Sequence, residues 1–65
     1  MLISVNGERH ELNAETLDAA LTALGYGNAK IATAVNGRFV AATLRERTRL
    51  SDGDQVEVVA PMQGG

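Results

Sequence analysis

A chain of 65 residues is one domain, and at this length folding hides only about 60% of the surface that the unfolded chain exposes, so the core is small. With no Cys and 45% hydrophobic residues, a disulfide framework, a thiolate metal site and a thiol nucleophile are all excluded, and aliphatic packing must hold the fold. A net charge of −2, with six Lys and Arg and no aromatic residues interleaved among them, argues against nucleic acid as the main partner.

The chain opens on β-type residues, Met1-Leu2-Ile3-Ser4-Val5, with Met1, Ile3 and Val5 on one face at period two. Asn6-Gly7 then signals a tight hairpin, because both central positions of a type I′ turn need positive φ. That turn would set Val5 opposite Glu8, Ile3 opposite His10 and Met1 opposite Leu12. His10, the single histidine, falls at the margin of the inner face with no second ligand or nucleophile nearby, and takes no role.

Asn13-Ala14-Glu15-Thr16 carries helix-start chemistry, with Thr16 or Asn13 as the cap and Asp18 near the positive end. Leu17, Ala20, Leu21 and Leu24 follow at i, i+3, i+4 and i+7, one helical stripe. Gly25 stops the helix in the left-handed region, and Gly27 keeps it from resuming. Gly25-Tyr26-Gly27 lacks the Lys-Ser/Thr ending of a phosphate loop and reads as the helix-to-strand connection, Tyr26 lying over the core edge.

A third strand, Ile31 to Val35, places Ile31, Thr33 and Val35 on one face. Asn36-Gly37 makes a second tight turn, and Arg38-Phe39-Val40 returns. Ala41 to Arg49 has no clean period and reads as a crossover with one helical turn around Leu44 to Arg47. Arg45, Arg47 and Arg49 in this stretch read as a solvated loop face. Leu50 plugs the core, and Ser51-Asp52-Gly53-Asp54 is a turn whose acids accept from their own backbone, so Asp52, Asp54 and Glu57 need no metal.

The final strand, Val56 to Ala60, ends at Pro61, which removes a donor and fixes φ. Met62-Gln63-Gly64-Gly65 then runs out on backbone without Cβ atoms at its last two positions, able to pass where side chains would clash. With nothing to pack on, this tail is expected to be mobile. Such an end is either frayed or presents its carboxylate to something. No long apolar run and no basic-then-apolar leader is seen, so the expected location is the cytoplasm, with no membrane partner.

The order β-β-α-β-β-coil-β has one economical solution for a short α+β chain: a curled mixed sheet of about five strands packed on one helix. First and last strands pair in its middle, parallel, because a helical crossover joins them. That is the β-grasp, or ubiquitin-like, arrangement, with residues 1–60 as the domain and 61–65 as a flexible tail.

With that arrangement, Val5-Asn6-Gly7-Glu8, Ala34-Val35-Asn36-Gly37, Phe39-Val40, Thr48, Leu50 and Asp52-Gly53-Asp54 form a pattern. Val56-Glu57-Val58-Val59-Ala60-Pro61-Met62-Gln63-Gly64-Gly65 completes it. Over essentially the whole chain it resembles the ThiS family of sulfur carriers in thiamine biosynthesis. The chain departs from many members in its crossover, where Ala41-Ala42 and Leu44 stand in place of Pro-Arg and a Trp.

The resemblance implies a protein co-substrate, not an enzyme, free as a monomer. A ubiquitin-activating-type adenylyltransferase would join the Gly65 carboxylate to AMP using ATP and magnesium, neither bound by this chain. A persulfide donor, such as a cysteine desulfurase or related protein, would convert it to a thiocarboxylate, and thiazole synthase would take the sulfur. Gly65 is then the reactive residue, Gly64 gives passage, Met62 and Gln63 are grip points, and outward Leu2 and Val59 form a docking patch unless a loop or sheet edge covers them. Alternatives are the small subunit of molybdopterin synthase, a carrier for another sulfur pathway, a protein modifier joined to lysines, or a plain β-grasp interaction module.

Overall fold

The structure, a computed structural model, describes residues 1–27 and 29–60. Strands β1 (Leu2–Val5) and β2 (Glu8–Glu11) form the first hairpin, followed by helix α1 (Leu17–Ala23). Strands β3 (Ala32–Val35) and β4 (Arg38–Val40) form the second hairpin, a 3-10 helix covers Ala42–Arg47, and β5 (Gln55–Val59) comes last. The sheet has five strands in the order β2-β1-β5-β3-β4. Strand β5 runs parallel to β1 and antiparallel to β3. The expected β-grasp arrangement is therefore the observed one, with the last strand at its centre.

Both hairpin turns have the predicted backbone. Asn6 and Asn36 each sit at φ 51°, followed by Gly7 at 85° and Gly37 at 84°, the type I′ pattern. The register is the expected one, Val5 facing Glu8 and Ile3 facing His10, and the Leu12 amide donates to the Met1 carbonyl at 2.9 Å. Inner positions at period two on β1, β3 and β5 then face α1, whose Leu17, Ala20 and Leu21 are buried. Ile3, Val5, Val40, Leu50, Val56 and Val58 complete the core.

Helix α1 has seven residues, too few to persist alone in water. Burial of Leu17 and Leu21, about 2 kcal/mol each, holds it to the sheet. Thr16, not Asn13, is its cap: Thr16 Oγ1 accepts from the Ala19 amide at 3.2 Å. At the other end Gly25 turns to φ 93°. The Tyr26 amide donates to the Leu21 carbonyl at 2.8 Å, and the Gly25 amide to that of Thr22 at 3.1 Å, a Schellman stop. Tyr26 is half-buried and packs on the core edge.

Some expectations need correction. The first and third strands begin one residue late, at Leu2 and Ala32, and β5 covers Gln55–Val59, not Val56 to Ala60. Its last rung is Val59 against Ala32, where β3 itself begins. The crossover is a six-residue 3-10 helix, longer than one turn. Its end is fastened to the start of α1: the Leu17 amide donates to Thr48 (2.8 Å) and the Leu50 amide to Glu15 (2.9 Å). Finally, Arg45 is not on a solvated loop face. It is half-buried and bonded into the fold as described below.

Candidate functional site

The end of β5 is the point from which residues 61–65 depart. Val56 and Val58 are buried while Gln55, Glu57 and Val59 are exposed, so one face of the strand anchors it and the other is free. Rungs to β3 run from Val56 to Val59, and on the opposite edge β1 contributes Ser4 and Val5. A strand held on both edges and on one face cannot swing without opening the sheet.

Val59, at 62% exposure, is the last strand residue and faces outward beside Ala32. Phe39, 73% exposed, stands on the same outward face across from Ala34. Two alanines leave that face low between the larger side chains. Around the edge, Val59 shares a shallow groove with Lys30, Ile31, Ala42 and Arg45. The Arg45 Nε donates to Thr33 Oγ1 at 3.1 Å and Nη2 to the Ile31 carbonyl at 2.6 Å. Thr33 Oγ1 in turn donates to the Val40 carbonyl at 2.9 Å. The guanidinium therefore ties the crossover to β3, and it is the basic wall of the groove with Lys30.

Leu2 is also exposed, at 42%, on the same outward face as Val59. The two do not meet. In the parallel register Ser4 lies beside Gln55, so Leu2 sits at the far end of the sheet, next to Gly53, and about 20 Å of strand rise separates it from Val59. Met62, Gln63, Gly64 and Gly65 lie outside the described residues. Phe39 and Arg45 were missed as site neighbours. Phe39 was open to inference, since Val40 inward forces Phe39 outward. The clue to Arg45 was Thr33, a hydroxyl on a buried strand face, which needs partners.

Two of the three acids near the strand are used in the fold, while Glu57 is exposed on the outward face of β5. Asp54 Oδ2 accepts from the Ser51 amide (2.8 Å) and Oδ1 from Asn36 Nδ2 (3.0 Å). Asp52 does not serve its own turn; Oδ1 accepts from the Leu2 amide at 2.7 Å. Among the described residues no group of three His, Asp or Glu side chains gathers as a metal site, and no helix is long and apolar enough to cross a membrane. His10 is half-buried beside Glu8, Leu24 and Tyr26.

The ThiS family model matches residues 3–65. The sulfur carrier protein ThiS of Thermus thermophilus is 38% identical over 65 residues, spanning 98% of this chain and 100% of that one. The crystal structure of the thiamine biosynthesis protein ThiS from Geobacter metallireducens superposes with a TM-score of 0.83 at 30% identity, covering 100% of both chains. Agreement in sequence and in fold over nearly the whole length leaves one conclusion: the chain belongs to the ThiS family, the small β-grasp sulfur carriers of thiamine biosynthesis.

Proposed function

We propose that this chain carries sulfur for the thiazole ring of thiamine on the carboxylate of Gly65. A carboxylate is a poor acyl donor, so a partner of the ubiquitin-activating type first joins it to the α-phosphorus of ATP. Pyrophosphate leaves and a mixed anhydride with AMP remains, with magnesium and ATP held by the partner. A persulfide on a donor protein attacks the carbonyl carbon and AMP departs. A second thiol then cleaves the new S–S bond, leaving a thiocarboxylate on Gly65 and a disulfide on the donor. Thiazole synthase receives that sulfur. Dividing one hard substitution into activated steps is the logic of covalent catalysis.

The observation that carries this reading is the central place of β5, which gives residues 61–65 a fixed root while Gly64 and Gly65 have no side chains to obstruct entry into a narrow site. Beyond the Gly65 carboxylate that attacks phosphorus, the chain supplies no acid, base or nucleophile; it is a co-substrate of the cytoplasmic pathway. Val59 and Phe39 form the outward apolar surface nearest the tail, and Met62 and Gln63 are the grip points beyond it. Family membership over residues 3–65 favours the thiamine pathway over a molybdopterin carrier.

Intact mass measured after incubation with the activating enzyme, ATP, magnesium and a persulfide donor tests this. A gain equal to exchange of one oxygen for sulfur, lost when Gly65 is deleted, is the expected result. An unchanged mass with an enzyme proven active on another carrier would refute it.

A further inference from the structure

The two edges of β5 are not held in the same way. On the β3 side, rungs continue to Val59. On the β1 side they stop at Val5 beside Val56, because β1 turns away at Asn6-Gly7 into its hairpin. The Asn6 amide still reaches the Val56 carbonyl at 2.9 Å. Beyond that the backbone groups of Val58 on this side have no strand to meet.

The carboxamide of Asn6 fills the gap. Its Oδ1 accepts from the Val58 amide at 2.8 Å and its Nδ2 donates to the Val58 carbonyl at 3.0 Å. A carboxamide offers one acceptor and donors on a planar unit, as a peptide group does, so the side chain acts as one more rung of the parallel ladder. The turn favours Asn here but does not require its carboxamide to meet Val58. It asks only for positive φ, which glycine meets at least as well.

Asn36 holds the other end of the strand in a related way. Its Oδ1 accepts from the Gln55 amide at 2.9 Å and its own amide donates to the Gln55 carbonyl at 2.7 Å. Two Asn-Gly turns therefore clamp β5, one at each end. Only the Asn6 clamp lies at the end that leads into Pro61–Gly65.

We propose that Asn6 is a positioning residue for acyl activation: by closing the last rung on the β1 edge of β5 it sets the point and direction from which the terminal carboxylate enters a partner's site. This rests on the carrier reading above. Displacement of a reacting group by about an ångström can cost about a hundredfold in rate, so a loosened root acts on turnover after docking more than on docking itself.

Asn6→Gly and Asn36→Gly both keep the positive-φ turn and delete the side-chain bonds of one clamp. ATP–pyrophosphate exchange with the activating enzyme, and amide hydrogen exchange on the free chain, are measured for each. Asn6→Gly is expected to lower kcat about tenfold with KM within about twofold, and to speed exchange at Val58. Asn36→Gly is expected to leave kcat within about twofold and to speed exchange at Gln55 instead. Asn6→Asp keeps an acceptor for the Val58 amide but sets a carboxylate oxygen against its carbonyl, so it should fall with Asn6→Gly.

Unchanged exchange at Val58 in Asn6→Gly, or equal losses of kcat in the two glycine variants, overturns the proposal. If the unaltered chain gives no exchange reaction at all, the carrier reading fails and takes the catalytic half of the proposal with it. The clamp is then judged by Val58 exchange alone.

Discussion

Replacing Thr33 by Val probes the polar link behind the groove. Thr33 is 2% exposed, and its hydroxyl both donates to the Val40 carbonyl and accepts from Arg45 Nε. Val has the same shape without the oxygen, so the change removes two hydrogen bonds and opens no cavity. The bond to Val40 is worth about 1 kcal/mol. That from Arg45 would be larger for a fully buried cation, but Arg45 is half-exposed and water can take over part of the loss, so about 1 kcal/mol is kept here too. The added methyl returns about 0.8 kcal/mol of apolar burial at most. The net cost is about 1–1.5 kcal/mol, against about 3–10 kcal/mol for a chain of 65 residues. At about 4–8 °C per kcal/mol for a domain of this size, the thermal midpoint should fall by about 5–10 °C, read by far-ultraviolet circular dichroism. A double-mutant cycle with Arg45→Ala should show coupling of about 1 kcal/mol. A Thr33→Val midpoint at or above that of the unaltered chain, with Arg45→Ala simply additive, would refute the assignment of Thr33 as the shared partner.

Loss of the α1 cap in Thr16→Ala should lower stability in urea by about 1 kcal/mol, while Thr16→Ser, which keeps the oxygen that receives the Ala19 amide, should cost only a few tenths. Val59→Asp alters an exposed residue and should leave stability within about 0.5 kcal/mol, yet raise KM for the activating enzyme about tenfold or more by placing a charge in an apolar contact. Leu2→Asp, at the far end of the same face, should raise it far less. Equal effects would mean that the whole outward face docks.

Features decided by near neighbours were legible in the sequence. Asn-Gly twice, a stripe of Leu17, Ala20, Leu21 and Leu24, and Gly25 after it each act over a few residues, and each appears in the structure as expected. The β1–β5 pairing is long-range, but the crossover rule leaves one solution for so short a chain. What escaped were polar side chains whose partners lie far away in sequence. Asn6 was read only as a turn residue because its second partner, Val58, is 52 positions on. Asp52 was assigned to its own turn although it serves the Leu2 amide, 50 positions back. Arg45 lies in a 3-10 stretch, where residues three apart such as Ala42 and Arg45 share a face; without that three-residue period in view, nothing local separates it from Arg47. The outward apolar patch was half legible: Val59 stands there, and Leu2 belongs to another part of the sheet.

The strand that carries the tail is also the one that closes the sheet. Synthesis makes β5 last, and before it exists the molecule is two hairpins and a short helix with β1 and β3 as bare edges, each a row of unpaired backbone groups. Pairing across some fifty residues is entropically slow to reach, so insertion of Gln55–Val59 between those edges is the natural late step of folding. A chain broken off ahead of Gln55 would offer a carboxylate at the wrong residue, but it would also lack the strand that joins the two hairpins. If the activating enzyme of the proposed function docks on the finished sheet, folding would act as proofreading, because only chains long enough to have built that sheet would be met.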